Sequence, residues 1–369
     1  MLSASLRSTL CTAANISRIP MTRRAHALLL IGVLLGTTAP ALAQSPTSAP
    51  SSATSASTVA VFNIVDHGAV ADGTTLNTAA IQRAIDACHA KGGGVVVVPA
   101  GRFATATILL KDNVTLRLEE NAELFGSSEL LDYRNVDAFF DGVGVERGFA
   151  LVAAVDAKNI TIEGRGQLNG NGAVLAAQER TKREFRGRRP LLLRLVRCQD
   201  VQLRDFSLRD SAAWTLNLFQ CKNVRIDRLT INSRVAPNND GIDVDSCENI
   251  RIADCDIDTG DDSICFKTTS AQTCRDITVT GCRLKSRHGT IKFGTESVGN
   301  FENITITNCA IRETRGGGIK ILSVDGANIR NIRISDITME DVVTPIFVRL
   351  GARLKTYRPG ETARPVGSI

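Results

Sequence analysis

Residues 200–208 read DVQLRDFSL, residues 223–231 NVRIDRLTI and residues 249–257 NIRIADCDI. The same string returns as DITVTGCRL from Asp276, NITITNCAI from Asn303 and NIRISDITM from Asn331. These six copies start 23, 26, 27, 27 and 28 residues apart, and earlier copies begin at Asn113 (NVTLRLEENAEL) and Asn159 (NITIEGRGQL). A period in the twenties built on short β-branched strings is the mark of a solenoid, because each unit buries its apolar face only by stacking on its neighbours. A leucine-rich repeat would show a Leu-dominated string followed by a helix. Here Ile and Val dominate, with Gly, Asp and Asn between the strands, which predicts an all-β fold: a single-stranded parallel β-helix.

Stacked coils repeat at about 4.8 Å, so equivalent residues form columns. One inward column is Val201, Val224, Ile250, Ile277, Ile304 and Ile332; a second is Leu203, Ile226, Ile252, Val279, Ile306 and Ile334. Cys198, Cys221, Cys247 and Cys274 each lie two residues before a repeat start, and Cys255, Cys282 and Cys309 each lie six after. In-register neighbours at the strand spacing suit packing better than the Cβ separation near 3.8 Å that a disulfide needs, so these are expected to be core thiols. No C-x-x-C pair supports the rival zinc cluster. Asn223, Asn249, Asn303 and Asn331 open their repeats, which predicts a structural ladder of left-handed turns with side chain bonded to side chain. Ahead of the coils, TLNTAAIQRAIDACHAKGGG puts Ala80, Ile81, Ala84, Ile85 and Cys88 on one helical face, predicting an N-terminal helix that caps the open end of the coil.

Of 369 residues, 43% are hydrophobic and 22% charged, which excludes disorder, collagen and coiled coil. The formal charge of +6 falls to +2 when the four leader arginines, Arg7, Arg18, Arg23 and Arg24, are removed, so charge selects no anionic partner. From Met21, a basic start, an apolar run and Ala41-Leu42-Ala43 before Gln44 predict a signal peptide over 21–43 and a periplasmic or secreted product. The apolar run is too short for a bilayer span, so no membrane attachment is expected after cleavage. Residues 44–58 (QSPTSAPSSATSAST) read as a linker, and 59–369 as the β-helix domain. No phosphate-binding, dinucleotide or nucleic-acid motif is present. A monomer needing no cofactor or metal is expected.

PNNDGIDVDSC holds Asn238, Asn239 and Asp240; DTGDDSICFK holds Asp261, Asp262 and Lys267. Asp240 and Asp261 are 21 residues apart, close to one coil, and His288 and Lys320 follow one and two coils later. Glycosidic cleavage needs an acid for the leaving oxygen and a base for water, and crowded carboxylates raise the proton affinity of at least one member. A row of turn aspartates or a calcium site would use the same residues.

At these residues the chain resembles glycoside hydrolase family 28, the polygalacturonases and rhamnogalacturonan hydrolases. The resemblance runs from about Phe62 to about Lys320 and rests on Asn238-Asn239-Asp240, Gly260-Asp261-Asp262, Arg287-His288-Gly289 and Gly318-Ile319-Lys320 in that order. It implies a right-handed parallel β-helix and an inverting hydrolase of α-linked pectic polysaccharide. Asp261 would be the acid, Asp240 and Asp262 would hold the water, and His288 would bond the acid. Asn238, Lys267, Lys320 and Trp214 would meet substrate, Trp214 either as a sugar platform or as a half-buried structural residue. Glu296 and Lys267 resemble exo-acting members. Two other readings of the same architecture are a calcium-dependent pectate lyase and a non-catalytic glycan-binding β-helix.

Two departures matter. Gly318 stands where the family carries a substrate-binding Arg. Either Arg315 reaches that space from an adjacent turn, or the sugar bound there is not a galacturonate. The closing PVGSI resembles the approach to a further repeat, so a C-terminal truncation with an exposed edge is expected.

Overall fold

The computed structural model describes residues 59–369. The expected signal peptide and linker lie outside the described residues. Three parallel ladders run the length of a right-handed coil. The first stacks Gln199–Arg204, Lys222–Asp227, Glu248–Ala253 and Cys274–Thr280 on one another, and the second stacks Ser207–Arg209, Thr230–Ser233, Asp256–Thr259 and Arg283–Ser286. The third runs through Leu191–Val196, Leu216–Phe219, Ile242–Asp245, Ile264–Thr268, Gly289–Ser297, Gly317–Ser323 and Ile346–Leu350.

Strict register makes the columns. Val201, Val224, Ile250, Ile277, Ile304 and Ile332 pair in sequence, as do Leu203, Ile226, Ile252, Val279, Ile306 and Ile334. All are buried except Ile332 and Ile334, which pack on a neighbouring coil from one side. The nine cysteines of the described residues are free and buried. The thiols of Cys221, Cys247 and Cys274 donate to carbonyls one coil back, at Leu195, Leu218 and Val244. The asparagine ladder is present with aspartates interleaved. Asn223 donates to Asp200, Asn249 to Asn223, Asn303 to Asp276 and Asn331 to Asn303. Every one of these has φ between 55° and 58°, the left-handed turn that Asn and Asp tolerate best.

The helix Thr78–Ala90 buries the five residues its sequence pattern indicated. It turns back into the coil through Gly93, where a Cβ would stand 2.5 Å from the Asn113 carbonyl oxygen. Among the described residues, no helix is long and apolar enough to cross a membrane. At the other end, strand Ile346–Leu350 is exposed throughout, and Ser368 stacks in parallel on Asn328 at the level where the next coil would start.

One stretch breaks the pattern. Arg134–Phe140 pairs antiparallel to Glu146–Val155, a strand that also stacks in parallel on Leu191–Val196, and forms a hairpin on the third ladder. The Arg358 guanidinium ties it to the C-terminal segment, donating to Asp137 at 3.0 Å.

Candidate active site

At the corner between the second and third ladders, three tripeptides stack residue on residue. Gly289 pairs with Gly317 and Ile264 with Ile291, which places Gly260-Asp261-Asp262 beneath Arg287-His288-Gly289 and that beneath Arg315-Gly316-Gly317. The pairing of Ile242 with Ile264 puts Asp240 in register with Asp262, 22 residues on, and not with Asp261. Asp261 is thus the member set one step out along the corner.

Local bonding fixes this corner. Asn239 is fully buried; its side chain accepts from the Ala236 amide at 2.7 Å and donates to the Ser211 and Ala213 carbonyls, holding the turn that presents Asp240. The Asp240 carbonyl accepts from the Thr215 amide, and that of Asp262 from the Gly241 amide, both at 2.8 Å. Gly241 is required by proximity, since a Cβ would stand 2.4 Å from the Ser263 oxygen. The Asn238 side-chain oxygen is occupied by Arg147 at 3.2 Å and Arg189 at 3.1 Å, which leaves its amide N–H groups for a ligand.

One oxygen each of Asp240 and Asp262 lies within 4.8 Å of the other, and the same holds for Asp261, Asp262 and His288 Nδ1. His288 Nδ1 is 3.2 Å from Asp261 and from Asp262, and its ring is half exposed. Lys292 Nζ lies 2.5 Å from the other oxygen of Asp262. Burial opposes ionisation of Asp262, but Lys292, the His288 hydrogen bond and Lys267 outweigh it and hold this carboxyl well below the usual range. Asp240 goes the other way. Burial, reinforced by the charges of Asp261 and Asp262 against the pull of Lys267, pushes it up to about 7. The raised member of the cluster is therefore Asp240. The His288 imidazole is raised by its bond to Asp262.

Lys267 is 3% exposed and lies 3.3 Å from Asp240, 3.4 Å from Asp243 and 3.5 Å from Glu296, with its ammonium 4.4 Å above the Trp214 ring. Lys267 is thus a charge hub under Asp240 that also lines the cleft. Trp214 is likewise 3% exposed, packs against Phe139 at 5.5 Å between ring centres, and lines the cleft beneath Lys267. Asp243 is fully buried with no hydrogen bond, and burial drives its carboxyl well up. Lys320 is half-buried next to Gly289, where a Cβ would meet Lys320 Cδ at 3.1 Å and Asp262 Oδ1 at 2.6 Å. Burial and Lys292 lower the proton affinity of its amine. Arg315 is exposed one residue before the catalytic column. At Gly318 a Cβ would meet the Pro345 oxygen at 2.8 Å and Met339 Sδ at 2.9 Å, so no side chain fits there without moving the next coil.

Lys292 and Arg353 escaped the sequence reading, which named Glu296 only for its likeness to exo-acting members. Lys292 carries the same Ile-Lys spacing as Ile319-Lys320 and pairs with Lys320, a column that was there to be read. Glu296 enters through a bulge in which Gly294, Thr295 and Glu296 oppose the single residue Lys267. Its Oε1 accepts from the Gly142 amide of the hairpin at 2.7 Å. Burial opposes its ionisation, but Lys267 and Lys292 bring the carboxyl down to about 2. Arg353, bonded to Asp325 and to the Thr295 carbonyl, completes the wall with Asp141, Gly142 and Val143 around a cavity of about 170 Å³.

Most of the oxygen atoms a cation would need already face protein cations. His288 and Lys292 take one oxygen each of Asp262, and Lys267 sits against Asp240. Calcium asks for six to eight oxygen ligands, and two ammonium groups among three carboxylates do not supply that environment.

The chain is 31% identical over 258 residues to an exo-poly-alpha-D-galacturonosidase of Dickeya chrysanthemi, covering 58% of this chain and 42% of that protein. It is 32% identical over 216 residues to a probable polygalacturonase of Vitis vinifera, covering 56% and 44%. The chain therefore spans less than half the length of these two relatives. An exopolygalacturonase from Thermotoga maritima superposes with a TM-score of 0.72 at 24% identity, over 84% of this chain and 78% of that one. A family 28 exopolygalacturonase of Yersinia enterocolitica gives the same score and identity over 84% and 63%. At that identity the two structures speak for the fold. The family model described as glycosyl hydrolases family 28 matches residues 88–362, and the chain belongs to that family.

Proposed function

We propose that this corner hydrolyses α-glycosidic bonds of pectic polysaccharide with inversion, in a polygalacturonase-like and exo-acting manner, in an exported protein. The observation that carries the reading is the convergence of Asp240, Asp261 and Asp262 in one cleft, with opposite protonation tendencies inside the in-register pair. A water within roughly 2.8 Å of an oxygen on each of Asp240 and Asp262 bridges a gap of the size found here. Asp261, the most open of the three, faces the leaving group and delivers the proton, with the His288 ring 3.2 Å from its carboxyl. The cluster shares its protons, so the delivered one belongs to the group and not to a single residue. Lys292 keeps Asp262 ionised; Lys267, carried on Trp214, sets the affinity of Asp240 for its proton.

The exo-acting mode is supported by the hairpin and Arg353, which wall one side of the cleft. One terminal sugar fits such a space better than the middle of a chain. Oligomeric state enters no step of the reaction, and a monomer suffices.

Reducing-sugar release from polygalacturonan, rhamnogalacturonan and xylogalacturonan tests the proposal, with Asp261→Asn alongside. Release lowered about 10²–10⁴-fold in the variant is expected. An equally active variant removes the mechanism. Unsaturated, ultraviolet-absorbing product abolished by a chelator selects the lyase instead, and binding without turnover selects the non-catalytic β-helix.

A further inference from the structure

The hairpin that walls the cleft is fastened at its base around one carboxylate. Asn135 pairs with Phe149 and Phe139 with Arg147, so Val136, Asp137 and Ala138 oppose the single residue Gly148. A bulge of this kind gives up ladder hydrogen bonds and re-aims a side chain. It sets Asp137 at φ 56°, in the left-handed region, and arginines take over the backbone that the partner strand has lost. Arg194, fully buried, donates to the Val136 carbonyl at 3.0 Å and to the Asp137 carbonyl at 2.8 Å.

Three guanidiniums converge on the Asp137 carboxylate from two other parts of the chain. Arg194 and Arg197 reach it from the third ladder at 3.3 and 2.8 Å, and Arg358 reaches it from the C-terminal segment at 3.0 Å. Asp156 serves Arg197 alone, so Asp137 is the anion that all three share. Burial opposes its ionisation, but the hydrogen bonds from Arg197 and Arg358 outweigh burial and hold the carboxyl below its usual range. Without that charge the guanidiniums would repel one another.

What the clasp holds is Phe139, two residues on. Its ring lies 4.7 Å from the Arg194 guanidinium and 5.3 Å from that of Arg358, and with Leu191 and Trp214 it forms an apolar cluster of its own. Lys267 rests on the same Trp214, with its ammonium 3.3 Å from Asp240. Asp137 itself lines no part of the cavity.

We infer that Asp137 is a positioning residue for the reaction: clasped by Arg194, Arg197 and Arg358, it pins Phe139 against Trp214 and so keeps water from the Lys267–Asp240 pair. Its effect on rate rests on the hydrolase reading; its effect on Trp214 rests on packing alone. Lifting Phe139 weakens both the burial that raises Asp240 and the pull of Lys267 that lowers it. Burial is the larger cause, so the proton affinity of Asp240 falls when water enters.

Trp214 is the only tryptophan of the chain, so its fluorescence reads this packing without substrate. The test uses the full chain and Asp137→Asn, because Asn tolerates the left-handed turn and the exchange removes only the charge. With far-ultraviolet circular dichroism unchanged, acrylamide quenching of Trp214 is expected to rise several-fold. On trigalacturonate, kcat/KM is expected to fall roughly tenfold, and its inflection near pH 7 to move down by roughly half a unit or more. Arg358→Gln, which cuts the C-terminal arm, should act the same way to a lesser degree, with Arg358→Lys recovering part of the loss; should Asp137→Asn fail to fold, this pair carries the comparison. Asp156→Asn, which takes only the outer partner of Arg197, should match the wild type in both readings. Wild-type quenching in Asp137→Asn overturns the clasp. Raised quenching with a coincident pH profile overturns its link to Asp240. A wild-type chain that releases no sugar removes the hydrolase reading, and the quenching still decides the clasp.

Discussion

Asp240 and Asp262 stand in register on successive coils, with carboxylate oxygens within 4.8 Å, and yet they are driven in opposite directions. Both are almost fully buried. The difference lies in the partners. Asp262 has an ammonium at 2.5 Å and an imidazole at 3.2 Å, whereas Asp240 shares its one cation at 3.3 Å with Asp243 and Glu296.

A pH dependence follows, with a definite sign. Asp240 binds its proton up to about 7 in the folded chain, above its unfolded value, so its contribution to stability is full below pH 4 and is lost as pH rises through about 7. Asp240→Asn is expected to abolish that part of the decline in melting temperature between pH 4 and pH 8. Because Asp240 faces the attacking water, the same ionisation predicts an inflection in kcat/KM near pH 7. A wild-type profile flat to pH 9 would contradict this.

Lys292 is expected to govern the acid side. Its removal in Lys292→Met leaves the buried Asp262 carboxylate without its nearest cation, and its proton affinity rises. The acid limb of kcat/KM should move up by roughly one pH unit or more. Since a lowered carboxyl stabilises above its unfolded value, the variant should also lose stability at pH 7, and the loss should shrink as the pH falls below about 4. Coincident acid limbs in the two proteins would refute the assignment.

Glu296 links the floor of the cleft to its wall. Glu296→Ala removes the acceptor of the Gly142 amide and is expected to raise KM several-fold and to expose residues 141–144 to limited proteolysis. Glu296→Gln keeps an acceptor at that position and should protect the hairpin. Equal proteolysis of both variants would show that the wall does not depend on this bond.

The thiols offer a test of the core. Burial raises the proton affinity of Cys88, Cys247 and Cys274, and Cys221 and Cys265 are raised further. Native protein should therefore show none of the nine cysteines of residues 59–369 reacting with a disulfide reagent, and all nine of these reacting in denaturant. Fast reaction of any in the native state would place it at the surface.

Much of the coil was legible because stacking turns sequence period into contact. The Asn at each repeat start, the five buried helix residues and the valine and isoleucine columns all follow from strict register. The same register could have been carried one step further. It pairs Asp240 with Asp262, and it sets Lys292 against Lys320. The hairpin, the Glu296 bulge and Arg353 were not legible, since each lies where the period fails and a repeat has nothing to say. Lys267 and Trp214 were assigned to substrate from their place in a motif. Their burial depends on Asp243, Glu296 and Phe139, side chains supplied by other coils and by the hairpin.

The central claim is that water attacks the sugar from a position between Asp240 and Asp262 while Asp261 protonates the leaving oxygen on the opposite face. Proton NMR of the reducing end newly formed from an α-linked oligogalacturonate, followed from the first minutes of reaction, reads this directly. The account predicts the β-anomer first, with the α-anomer growing in only by mutarotation. Initial appearance of the α-anomer would mean a covalent intermediate on one of these carboxylates and would contradict it.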